Sequence, residues 1–153
     1  MMSLLFPPLL ERHREAGALV LRLFVAFVLV YGTADNVLSA DRMLEFRDFL
    51  AERGTPLPLV SAYLSVYAQF ACGLLIAVGL ATRPAALVMA INFVCAYAIA
   101  HLGQPVEANW APVLMFAASA FLLVHGPGAL SADEALRRRS RGAVPPAPSL
   151  AVT

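Results

Sequence analysis

Four long apolar runs, separated by short polar or proline-marked stretches, set the pattern of this chain. The first extends from Ala16 to Ala34 and is broken only by Arg22. The second runs from about Leu57 to Ala81, the third from Pro84 to Leu102 and the fourth from Trp110 to His125. At 1.5 Å rise per residue, about 19 helical residues nearly cross a hydrocarbon core of roughly 30 Å. A helix buried in a soluble protein can also be apolar all round, but four such runs in 153 residues leave no polar faces for water. The pattern therefore predicts an all-α fold, a four-helix transmembrane bundle whose solvent is the lipid bilayer.

Between the first and second runs the periodicity changes. From Ser39 to Arg53 an amphipathic helix is predicted, with Ser39 as N-cap and Gly54 at the position a C-cap glycine favours. Met43, Phe46, Leu50 and the neighbouring Phe49 make its apolar stripe. Such a segment lies flat on the membrane or covers the mouth of the bundle, as a fixed cover or as a moving lid.

Charge then orients the bundle. Arg12 and Arg14 precede the first span, Arg83 lies between the second and third, and Arg137, Arg138, Arg139 and Arg141 follow the fourth. The loop after the first span has Arg42, Arg47 and Arg53 but also Asp35, Asp41, Glu45, Asp48 and Glu52, and the third loop has only Glu107. By the positive-inside rule both termini are cytoplasmic in a bacterial-type inner membrane. The N-terminus lacks a basic n-region and an A-x-A-like site before Glu11, so the first span is expected to act as an uncleaved insertion signal. The expected organisation is a cytoplasmic segment over 1–15, the membrane domain over 16–133, and a largely disordered cytoplasmic tail over 134–153 that ends in proline and small residues.

Composition agrees: 60% of residues are hydrophobic and 14% charged, against roughly 45–50% and about 25% in soluble domains. No continuous basic face exists outside the short C-terminal cluster, so no nucleic-acid partner is expected. No metal-ligand spacing occurs among His13, His101 and His125, and no nucleophile elbow, Walker loop or dinucleotide fingerprint appears, so no metal and no intrinsic cofactor are expected.

Polar groups inside lipid cost free energy unless partnered, which singles out Arg22, Tyr67, Gln69, Asn92, Tyr97, His101 and His125. Arg22, about one and a half turns into its span, can snorkel, bind an anionic or quinone headgroup, or pair with Asp133 beyond the fourth span. Cys72 and Cys95 lie about 11 and 12 positions from Arg83 on antiparallel helices, and so at one depth. They are a redox-active thiol pair or two small packing residues. Gln69 and Tyr97 are each about 14 positions from Arg83, within reach of an interhelical hydrogen bond. Asn92 can line a polar pocket or join helices, and His101 can anchor at the interface or handle protons.

Several of these residues fall into an ordered set of motifs. Arg22 enters the first span and Gly32 stands near its exit. An acidic-aromatic helix leads to Pro56-Leu57-Pro58, G-L-L-I-A-V-G-L-A-T-R runs from Gly73 to Arg83, His101 closes the third span, and G-P-G-A-L-S-A-D runs from Gly126 to Asp133. Together these resemble the DoxX family of small four-helix membrane proteins over roughly Arg22 to Asp133. The matching positions are Arg22, Gly32, Gly73, Gly79, Thr82, Arg83, His101, Gly126, Gly128, Ser131 and Asp133. The resemblance implies a four-span bundle and, by analogy with some relatives, a membrane subunit of a quinone-linked redox or sulfur-oxidising complex such as thiosulfate:quinone oxidoreductase. On that reading the chain anchors a soluble redox partner and binds quinone among Arg22, Gln69, Asn92, Tyr97 and His101, without an electron carrier of its own. The alternatives are a non-enzymatic binding or transport module for a small lipophilic molecule, and a structural assembly factor. Two departures stand out. Relatives often carry a lysine after the glycine of the first span, where this chain has Asp35 and Asn36, and a glutamate in the second, where it has Gln69, which cannot ionise.

Overall fold

Helix formation here follows from the solvent: in hydrocarbon every backbone N–H and C=O must be satisfied within the segment itself. The computed structural model describes residues 14–105 and 109–142. The expectations for the N-terminal segment, for Glu107 and for the proline-rich end lie outside the described residues.

Helix α1, Arg14–Leu38, has 25 residues, longer than the apolar run alone predicts. The polar extension is helical because Thr33 returns its hydroxyl to Leu29 O at 2.7 Å, and Asp35 O accepts from Ser39 N at 2.9 Å. At Ser39 the backbone turns extended, with φ −129° and ψ 121°, and α2, Ala40–Glu52, begins immediately. Ser39 accepts from Arg42 N, the expected N-cap. At the far end Gly54 N bonds to Ala51 O at 3.0 Å and Thr55 N to Leu50 O at 3.1 Å, a Schellman closure with Gly54 at φ +71°.

Helix α3 covers Pro58–Val78 and α4 covers Thr82–Ala96, the latter prolonged by a π-helical turn over Tyr97–His101. Helix α5 is Trp110–His125 and α6 is Ala132–Gly142. Pro84 and Pro112 each stand at the third position of their helix, where the missing N–H would have no intrahelical partner. By length and composition α1, α3 and α4 with its π-turn can each cross a membrane, and α5 is a shorter apolar helix. The segment from residue 134 begins as a helix: α6 runs to Gly142, because Ser131 caps it and Glu134 pairs with Arg137 and Arg138 one turn on.

Around the bundle α1 packs on α3, α3 on α4 and α4 on α5, and α5 touches α1. One end collects the start of α1, the α3–α4 turn and the α5–α6 loop, and is termed here the arginine face. The other end carries α2. Inward positions recur at helical spacing: Arg22, Val25, Ala26, Leu29 and Thr33 on α1; Thr82, Ala85, Ala86, Met89 and Ala90 on α4; Pro112, Met115, Ser119 and Leu122 on α5. Outward positions are large and apolar, including Phe24, Phe27 and Tyr31 on α1, Leu64 on α3, Ile91 on α4 and Val124 on α5. That band is far larger than a soluble monomer tolerates, and lipid is the medium that accepts it.

Between helices lipid supplies no hydrophobic drive, so small residues and close approach hold the seams. Gly73 shows this on α3: a Cβ there would lie 2.9 Å from Val30 Cγ2 and 3.0 Å from Leu29 Cβ. Helix α2 is held differently. Met43 and Leu50 are buried against Ala62 and Val66 of α3, with Val37, Phe46 and Ile99 of the π-turn around them. Phe49 stays at the rim, stacked on Phe46 and covered by the Arg53 guanidinium at 3.5 Å.

Gly73→Val is expected to lower stability in detergent by about 1–3 kcal/mol through overpacking of the α1–α3 seam. Gly32→Ala, whose new methyl meets open space in mid-helix, does not lower it. Unfolding titrated with SDS measures both.

Candidate functional site

The polar architecture concentrates at the arginine face and starts from how α3 stops. Gly79 N bonds to Ile76 O at 3.2 Å and Leu80 N to Leu75 O at 2.9 Å, so α3 closes in a second Schellman motif with Gly79 at φ +70°. The chain then reverses into α4 through Ala81 at φ +50°, a left-handed conformation that costs a residue with a Cβ roughly 1–2 kcal/mol. Its methyl cannot cap the new helix. The cap comes from far along the chain: Asp133 accepts from Ala81 N at 2.9 Å and from Thr82 N at 3.2 Å. Asp133 N donates in turn to Gly79 O at 3.0 Å. An ionised carboxylate at a helix N-terminus is favoured both as an acceptor and by the helix dipole.

Arg22 completes the junction from α1. Its Nη1 donates to Pro127 O and its Nη2 to Leu130 O at 2.7 Å, and the side chain is only 3% exposed. The planar fork thus satisfies two carbonyls of a loop that no helix can satisfy. Gly79 is required here for space as well as for conformation, since a Cβ would lie 2.6 Å from Ser131 Cβ and 2.7 Å from Arg22 Nη1. Glu15, at the start of α1, accepts from Ala129 N at 2.7 Å. Ser131 donates to Gly128 O at 2.8 Å and accepts from Glu134 N at 3.2 Å, which starts α6. Arg22 and Asp133, expected as an ion pair, grip the same loop by different bonds, one on its carbonyls and the other through amides of the α3–α4 turn.

Beside this junction lies an open cleft of about 820 Å³, lined among others by Glu15, Arg83, His125, Asp133, Glu134 and Arg137. Arg83 reaches Val124 O at 3.4 Å and lies over Gly126, and His125 stacks on Phe121 with ring centroids 5.1 Å apart. Hydrogen bonding from Arg138, reinforced by Arg137, holds the Glu134 carboxyl below its ordinary 4.5. Both signs of charge therefore face the same cleft.

The second polar locus is inside the bundle. Gln69 Nε2 donates to Ser65 Oγ at 3.1 Å, and Ser65 Oγ donates to Asn92 Oδ1 at 2.9 Å. This chain links α3 to α4 and polarises in one direction. It ends at Asn92 Nδ2, which is buried and has no acceptor among the described residues. Such a donor in hydrocarbon is costly unless a ligand or partner supplies an oxygen.

The structure thus brings Gln69 and Asn92 together and adds Ser65, a residue the sequence reading passed over although Ser65 and Gln69 stand one helical turn apart. Glu15 was likewise unmarked, because the amide it accepts from is invisible in a sequence. Tyr97 opens the π-turn at the α2 end of α4. The ring of His101 lies outside the described side chains. Cys72 is buried in the bundle core and Cys95 is exposed on the outer surface, and both are free thiols. Among the described residues no cluster of metal-ligating side chains forms.

Comparison with known proteins gives two matches. The family model DoxX fits residues 17–102, more than half of the chain, from α1 through the π-turn. The inner membrane protein YphA of Escherichia coli (strain K12) is 26% identical over 129 residues, covering 78% of this chain and 90% of that protein. No solved structure matches.

Asp133→Ala strands the Ala81 and Thr82 amides and is expected to cost about 1–3 kcal/mol in SDS-titrated unfolding, while Asp133→Asn, which keeps one acceptor oxygen, costs less. For Glu134 the depressed carboxyl means that its contribution to α6 is full above its ordinary 4.5 and is lost only as pH falls through the lower folded value. A side-chain NMR titration of Glu134 should therefore show a midpoint below 4.5.

Proposed function

As the chain belongs to the DoxX family of small helical membrane proteins, we propose that it is a non-catalytic membrane subunit of a quinone-linked redox assembly. It supplies a binding site and a docking face, and the chemistry is carried by quinone and by a soluble partner. The observation that supports this most is the Ser65–Gln69–Asn92 chain with its vacant Asn92 Nδ2 donor. A quinone presents a carbonyl oxygen on an apolar ring, which suits one amide N–H set in an apolar surround. Gln69 cannot take up a proton, so the amides orient the ring and proton transfer belongs elsewhere.

The arginine face is the docking side of this proposal. Its cleft mixes Arg83 and Arg137 with Glu15 and Glu134 on a loop fixed by Arg22 and Asp133, a surface suited to a charged soluble protein. On this reading that face is cytoplasmic and four spans lie in the inner membrane, which the arginine count supports, and the inner-membrane description of the E. coli relative is in keeping with it. The rival reading, a carrier for a small lipophilic molecule gated by α2, requires that helix to lift. Met43 and Leu50 oppose this, since full burial of such side chains is worth about 1.5–3 kcal/mol each.

The test is mild extraction of the tagged protein from its own membranes, with mass spectrometry of bound lipophiles and co-purifying proteins. Stoichiometric quinone and a soluble oxidoreductase are expected. Asn92→Leu should reduce quinone retention about tenfold, the worth of one hydrogen bond. A preparation with an intact bundle and neither quinone nor oxidoreductase contradicts the proposal.

A further inference from the structure

The outer flank of α6 carries a feature that the redox reading does not use. Helix α3 has 21 residues, about 31 Å, so its last residue, Val78, sits at the edge of the hydrocarbon core. A groove of about 550 Å³ opens there, lined by Val78, Ala129, Leu130, Ser131, Ala132, Ala135 and Arg138. Its floor is small and apolar, and Val78 and Leu130 are 58% and 64% exposed along it. Among the described residues Arg138 is the one charged group in its lining. Arg138 spends Nε on Glu134 at 2.9 Å, which leaves the ends of its guanidinium free to donate. Glu134 is shared between Arg137 and Arg138, so its one negative charge is outweighed by the two guanidiniums, and Arg139 follows directly in the chain.

We propose that this groove seats one anionic phospholipid. The phosphate is held by Arg138, with Arg139 adding to the local field, and the first part of an acyl chain lies on Val78 and Leu130. The charge argues for the occupant: an apolar trough at headgroup depth with a guanidinium at its rim complements a lipid with a negative head and an apolar tail. It also accounts for Leu130, which is exposed in the loop just before α6 where water alone would not favour it. The bound lipid ties α6 to the bilayer and so fixes one wall of the charged cleft, since Glu134 and Arg137 on the same helix line that cleft.

Native mass spectrometry of the full chain, exchanged into detergent with equal phosphatidylglycerol and phosphatidylcholine of identical acyl chains, tests this. Wild type should retain one phosphatidylglycerol in preference to phosphatidylcholine, and Arg138→Gln should reduce that preference about fivefold, the effect of one arginine near a charged surface. Ala135→Trp keeps every charge and fills the groove, so it should abolish retention while α6 stays helical. Equal retention of the two lipids by wild type overturns the proposal. So does an unchanged preference in Ala135→Trp, because attraction to the basic helix then needs no groove.

Discussion

The structure depends on satisfying backbone groups at helix ends where neither helix geometry nor water can do so. Two chain reversals and the start of α1 meet near one membrane surface, and two side chains of opposite charge tie them together. Arg22 donates to the carbonyls of Pro127 and Leu130, and Asp133 accepts from the amides of Ala81 and Thr82. Each side chain is held by backbone dipoles, and the two form no direct hydrogen bond with each other. The consequence is topological. The start of α1, the α3–α4 turn and the α5–α6 loop become one unit, and the four apolar helices are fixed at that end. At the other end α2 does the corresponding work with apolar contacts.

This division explains where function can reside. The bundle core packs Leu29, Ile76, Met89, Met115 and Leu122 against small residues such as Ala26, Ala85 and Ala86, with little polar content, which gives rigidity but no chemistry. The exceptions are the amide chain between α3 and α4, which ends in a vacant donor, and the charged cleft on the rigid arginine face. Rigid presentation of a few polar groups is what a binding or docking subunit needs, since side chains already held in place lose little freedom on association. The left-handed Ala81, a strained residue retained at the junction, marks where the fold accepts local cost to bring distant segments together.

Much of this was legible in the sequence. Hydropathy locates the apolar helices because the bilayer demands uninterrupted runs, and Ser39 and Gly54 mark the ends of α2 because capping is local chemistry. Gly79 and Asp133 stood out through the family resemblance, yet their roles could not be read, since Asp133 caps a helix that begins 51 residues earlier. Arg22 was visible as a costly charge, but its acceptors are carbonyls, which every residue possesses. The thiols show the limit of counting depth along helices: Cys72 and Cys95 stand at nearly equal counts from Arg83, but one is buried and the other exposed, a difference of rotation about the helix axis that a count does not contain. Helix α6 carries no hydropathy signal, because its apolar content is slight and its start is set by Ser131 and the Glu134 pairs.

The central claim is that Arg22 and Asp133 act as one clamp through the loop between them. A double-mutant cycle with Arg22→Met, Asp133→Ala and the double variant, measured by SDS-titrated unfolding, addresses it directly. The account predicts strong non-additivity, with a coupling energy of about 1–3 kcal/mol, because loss of either residue already frees the loop. Additive losses, within about 0.5 kcal/mol, would mean two independent local bonds and would contradict the clamp.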